Sequence, residues 1–163
     1  MKEGFFEFTK NVVTTTDLFK LIADVESAQS ASYENGGLDL SKKLKGKVSE
    51  DFNQALKAVD GKKLIPLSQE GKGEYFHNLK DYLVTLPRVK IELAFDPSEE
   101  FIKKIAVIIN NEAGNRLILD VSVNPKILAG LTIEYSGKYK DFSYADKLSE
   151  VLKYKFKGGS GEF

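Results

Sequence analysis

Side chains able to do acid–base, nucleophilic or metal chemistry are sparse in this 163-residue chain. His77, in YFHNLKDYL, is the only histidine, and there is no cysteine. A lone histidine among apolar neighbours is more often a surface or satisfied side chain than a catalyst. The missing thiols exclude disulfides and thiolate metal sites, and fit a reducing compartment. Acids occur together as Glu50-Asp51, as Glu99-Glu100, and as Glu112 near Asp120. The first two pairs fall where helices are expected to begin, and acids there complement the helix dipole. Carboxylate catalysis would need a partner acid from a distant part of the chain. GKKLIPLSQEGKG has glycines and lysines without phosphate-loop spacing. No serine has the strand-turn-helix setting of a nucleophile elbow. Lys42, Lys43, Lys45 and Lys47 lie among Asp39, Glu50 and Asp51, the pattern of a solvated helix face. No catalytic, cofactor-binding or metal-binding residue is assigned, and no enzyme is expected.

The bulk composition points the same way. Lys plus Arg and Asp plus Glu number 24 each, so no long-range field favours nucleic acid. Apolar residues reach 42%, enough for a core, yet no run approaches the roughly 18 residues of a membrane span. Glu3 and Glu7 interrupt the region where a signal peptide would be continuously apolar, so a cytosolic protein is expected. Residues 158–163, GGSGEF, read as a linker or cloning scar.

The elements that would position any site fall into two groups. Thr14 and Asp17 have capping-box spacing, with Thr16 an alternative cap, ahead of a helix striped by Leu18, Leu21, Ile22, Val25 and Ala28. Asn35-Gly36-Gly37 ends that helix. A second helical stretch runs from Leu40 to Val59 with a break at Gly46 and a fresh start at Ser49. LIPLSQEGKG then reads as a connector, and EYFHNLKDYLVTL as a third helix stopped by Pro87. Beyond it, residues 88–95 alternate as a half-buried strand. Asp96 and Pro97 open an amphipathic helix that Gly114 closes, and residues 116–123 form a second strand with Leu117, Leu119, Val121 and Val123 in phase. Strands 131–135 and 138–142 flank a Ser136-Gly137 hairpin, and Ser143 with Asp146 caps a last helix through Leu152. The fold class is α+β: a helical domain over 1–86, a strand-helix-strand-strand-helix module over 87–157, and the tail.

The aromatic residues are the stronger clue to binding. Phe5, Phe6 and Phe8 cluster at the start and Tyr154 and Phe156 near the end, where burial is harder, so they are candidate partner anchors.

LDVSVNPKILAGLTIEYSGKYKDFSYADKL carries a resemblance. Pro125, Leu128 and Gly130 in a turn between strands, then Asp141 and Ser143 before a helix containing Leu148, are similar to the end of the delta subunit of bacterial F-type ATP synthases. The same order occurs in its mitochondrial counterpart, the oligomycin-sensitivity-conferring protein. The preceding strand and amphipathic helix match that family in order, and the resemblance covers about residues 87–154. Three departures stand out: the family's leading Asp is Asn124, its Gly-Gly is Ala129-Gly130, and the final-helix arginines are missing.

The resemblance implies a non-catalytic peripheral-stalk subunit that joins the catalytic head to b-type stalk helices. It would lie in the cytoplasm, peripheral to the inner membrane, with no cofactor, nucleic acid or membrane insertion. The motif residues would hold the fold. Phe5, Phe8, Leu18, Leu21, Ile22 and Val25 would line a groove for a helix of the head. The alternative is a free-standing adaptor or regulator built on the same α+β module.

Overall fold

The computed structural model describes residues 4–34 and 40–143. The chain forms two compact units, Met1–Pro87 and Arg88–Phe163.

The first unit is helical: α1 (Phe5–Thr9), α2 (Thr15–Tyr33), α3 (Leu40–Lys43), α4 (Glu50–Gly61) and α5 (Gln69–Val84). Each long helix begins where a short polar side chain can satisfy an orphan N–H. Thr14 closes a full capping box: its hydroxyl accepts from Asp17 N at 3.2 Å, and the Asp17 carboxylate accepts from Thr14 N at 2.9 Å. Ser49 caps α4 by accepting from Phe52 N, and its own hydroxyl donates to Asp24 at 2.5 Å, tying the start of α4 to α2. Helices α2 and α5 pack along each other. The core between the helices holds Leu18, Val25, Leu44, Phe52, Val59, Phe76, Leu79 and Leu83, all essentially inaccessible to water. Aromatic rings extend it: Phe8 meets Phe52 at 5.2 Å between centroids, and Phe5 meets Tyr75 edge-on at 5.4 Å.

The second unit is built on a four-stranded mixed sheet, β1 (Arg88–Leu93), β2 (Ile118–Val123), β3 (Leu131–Tyr135) and β4 (Lys138–Asp141), in the order β2-β1-β3-β4. Strand β2 is parallel to β1 and is reached through the crossover helix α6 (Glu99–Ala113), whereas β3 and β4 add antiparallel. Register places Val89 opposite Leu119, Ile91 opposite Val121 and Ile133, and Leu93 opposite Leu131. Facing pairs share one side of the sheet, so these residues form its apolar face; Val89, Ile91 and Leu93 are each 1% exposed. The other face carries Lys90, Glu92 and Glu134. The hairpin between β3 and β4 turns through Ser136 (φ 51°) and Gly137 (φ 74°), two positive φ values in succession, whose twist suits adjacent strands.

Several boundaries differ from expectation. Helix α5 begins at Gln69, inside the expected connector: the Ser68 hydroxyl accepts from Gly71 N at 3.1 Å, and that cap offsets the cost of two glycines in the first turns. Helix α6 is capped by Ser98, whose hydroxyl accepts from Phe101 N, and not by Asp96. Strand β1 stops at Leu93, leaving Phe95 46% exposed with its ring edge-on to Phe101. Strand β2 starts at Ile118, because Asn110 Oδ1 takes the Leu117 N–H out of the ladder at 2.8 Å. The expected last helix with Leu148, the Tyr154 and Phe156 cluster and the tail lie outside the described residues.

Candidate partner interface

The turn between β2 and β3 is built by hydrogen bonds from both of its ends to the end of β1. Asn124 N donates to Leu93 O at 2.8 Å, and Ala94 N donates to Gly130 O at 3.2 Å. Between these points the Asn124 side chain shapes the loop, its Oδ1 accepting from Lys126 N at 3.0 Å. Gly130 has φ +100°, and a Cβ there would collide with the carbonyl oxygen of Phe142. The end of β4 therefore passes directly over the glycine, and Phe142 N donates to Leu131 O at 2.9 Å. Just beyond, Asp141 Oδ1 accepts from Ser143 N at 2.7 Å, and the Ser143 hydroxyl, then this backbone N–H, hold the Asp141 carboxyl below the usual range. Gly130, Asp141 and Ser143 thus meet at one end of the sheet. Leu128 does not join them: it is 69% exposed and fills no core, and Pro125 is exposed as well.

Helix α6 has more apolar side chains than one sheet-facing stripe requires. Ile102, Ala106 and Ile109 follow one line at helical spacing, with Ala106 buried and the isoleucines partly so. Phe101, Ile105 and Ile108 follow a second line beside it, and Ile108 is 61% exposed. Val107 lies outside both lines at 60%. The signal was present in EEFIKKIAVIINNEA, where seven of the residues from Phe101 to Ile109 are apolar. A helix lying on one layer buries only a single stripe.

In the helical unit five of the six residues expected to line a groove are buried. Phe5, Phe8, Leu18, Leu21 and Val25 are between 0% and 6% exposed, so no partner reaches them without unpacking the core. Their stripe faces the other helices of the unit, which is the cheapest place for it. Only Ile22 of that set is partly accessible. Beside it, one helical turn back on α2, stands Phe19 at 58%, and Phe6 on α1 is 64% exposed. Periodicity marked the inner stripe of α2 and passed over the residue next to it.

Polar chemistry is thin. His77 is exposed, with Nε2 3.5 Å from Asp81 Oδ2 one turn along α5. Among the described residues no group of three or more His, Asp or Glu is arranged to hold a metal. Among the described residues the Tyr75 hydroxyl is buried without a hydrogen-bond partner, and burial pushes its pKa up to about 12.

The family model described as ATP synthase delta (OSCP) subunit matches residues 5–154. The chain belongs to this family. The match spans both units and extends the resemblance seen in the C-terminal module back to α1. As a member of the delta/OSCP family the chain is a peripheral-stalk subunit of an F-type ATP synthase and interacts with other subunits of that complex. No helix among its described residues is long and apolar enough to cross a membrane, in keeping with peripheral association with a membrane-bound complex. A chain in the cryo-electron microscopy structure of the Polytomella F-ATP synthase is 21% identical over 45% of this chain and 94% of its own length, with a TM-score of 0.38, too distant to bear on the fold. No curated protein matches significantly.

Proposed function

We propose that this delta/OSCP subunit is a non-catalytic tie on the cytoplasmic side of the membrane, with its helical unit holding the catalytic head and its α+β unit holding b-type stalk helices. The observation that carries the reading is the second apolar line of α6. Phe101, Ile105 and Ile108 recur at the spacing that seats one helix against another, with Ile108 exposed. A stator resists torque through contact area, and contact area needs apolar side chains left uncovered in the isolated chain. On the helical unit Phe6, Phe19 and Ile22 supply the corresponding surface, in place of the buried stripe.

Co-purification from cells tests the assignment. Wild-type chain is expected to elute with head and stalk subunits, whereas Ile108→Glu loses the stalk while keeping its circular dichroism spectrum. Phe19→Glu is expected to lose the head and keep the stalk. Elution with neither set of subunits would instead favour a free-standing adaptor.

A further inference from the structure

On α6 the apolar line of Phe101, Ile105 and Ile108 has charged boundaries. Steps of four, three and four residues carry it on to Glu112, so the line ends in a carboxylate. Lys104 stands three residues after Phe101 and four before Ile108, and so borders the line along one side. The buried Ala106 and the half-buried Ile102 and Ile109 border it on the other. At the N-terminal end the Phe101 ring meets the exposed Phe95 edge-on at 5.2 Å, which prolongs the apolar surface past the first turn of the helix. From Phe101 to Glu112 the helix rises about 16 Å, or three turns.

Neither charge is committed to the fold. Glu112 is exposed and has no ion-pair partner among the described residues. It does not serve its own helix either, because a carboxylate in the last turn opposes the helix dipole where a base would suit it. Lys104 meets Glu100 at 2.8 Å one turn back, with the two side chains 71% and 79% exposed. A pair so open to solvent contributes little, which leaves Lys104 available to another acid. Charges at the rim of an apolar contact govern the register and orientation of a partner more than the tightness of its binding.

We propose that Lys104 and Glu112 set the direction in which a stalk helix lies on α6. The segment seated there is an amphipathic helix with an acidic residue over Lys104 and a lysine or arginine over Glu112. Lys104 and Glu112 are separated by a rise of about 12 Å, so a helix packed alongside presents its acid and base about two turns apart. The same helix laid in the opposite direction would set base against Lys104 and acid against Glu112, two like-charge contacts in place of two attractions. The proposal rests on the reading of α6 as the stalk contact and adds the charge order that the stalk helix must present.

The test titrates the full chain with the soluble part of the stalk subunit from the same complex. Exchanging the two charges, Lys104→Glu together with Glu112→Lys, keeps the net charge and every apolar side chain. The exchange is expected to weaken binding roughly tenfold at low salt. At high salt, where rim charges are screened, the difference should vanish. A photoreactive side chain in place of Lys104 should cross-link within one turn of an acid of the stalk helix, and one in place of Glu112 within one turn of a base. Three results would each overturn the proposal: equal affinity of the exchanged and native chains at low salt; a loss that persists at high salt; or cross-links in the reverse charge order or to this chain itself. Ile108→Glu separates this failure from that of the stator reading. If Ile108→Glu releases the stalk subunit while the exchange changes nothing, the charge order alone is wrong; if Ile108→Glu binds like wild type, the stalk contact is not on α6 and both fail.

Discussion

Asn124 Nδ2 donates to Glu92 Oε2 at 2.8 Å, while the other oxygen of the same carboxylate meets Lys90 Nζ at 2.9 Å. This pair explains a departure from the family pattern, which has Asp where this chain has Asn124. A carboxylate could still accept from Lys126 N and shape the turn, but it could not donate to Glu92, and would instead face it as a like charge. Asn124→Asp is therefore expected to destabilise the α+β unit at neutral pH, lowering its melting temperature by roughly 2–4 °C. Pairing it with Glu92→Gln restores a donor and should recover the loss. Equal melting temperatures for wild type and Asn124→Asp, measured by circular dichroism at pH 7, would show that the amide donor is dispensable.

Gly130 combines φ +100° with a carbonyl oxygen where its side chain would be. Gly130→Val must both strain the backbone and push the Phe142 backbone away from the turn. The expected cost is roughly 1–3 kcal/mol or more in urea unfolding. Release of β4 from β3 should accompany it, visible as faster amide exchange at Phe142, whose N–H is held by Leu131.

Leu18 and Phe19 are neighbours with opposite expected phenotypes. Leu18 is 0% exposed and Phe19 is 58%. Leu18→Ala should cost about 2–5 kcal/mol of stability by opening a cavity in the helical core. Phe19→Glu should leave the helical core packed, and its effect should appear in binding to the head. A Leu18→Ala protein of unchanged stability would contradict the packing of α2.

Acid stability follows from three carboxyls held below their ordinary values. The Lys62 ammonium lowers Glu7, with Nζ–Oε1 at 2.6 Å; Lys90 and then Asn124 lower Glu92; the bonds from Ser143 lower Asp141. A carboxyl with a depressed folded pKa contributes stability that is complete above its unfolded value, 4.5 for Glu and 3.8 for Asp, and is lost as pH falls through the lower folded value. Urea midpoints should be flat from pH 7 to about pH 5 and fall below about pH 4. Lys62→Met should flatten the decline seen with probes in the helical unit alone. A midpoint that rises on acidification would contradict all three assignments.

Features decided within a few residues were legible in the sequence. Thr14 and Asp17 cap each other across three positions, Ser136-Gly137 turns a hairpin between adjacent runs, and Val89, Ile91 and Leu93 alternate along one strand. Each depends on backbone geometry with a fixed short period, so spacing alone specifies it. The ordered turn from Asn124 to Ser143 carried the family resemblance for the same reason. Tertiary structure decided which apolar residues remain available. A stripe such as Leu18, Leu21 and Val25 looks the same whether a partner or its own bundle covers it, and here the bundle does. The exposed Phe19 and Ile108, the partnerless hydroxyl of Tyr75 against Gly4, and the reason for Asn124 opposite Glu92 all depend on residues distant in sequence. Local periodicity gives the direction of a side chain from its own helix or strand; only the packing of the other elements determines whether anything stands in that direction.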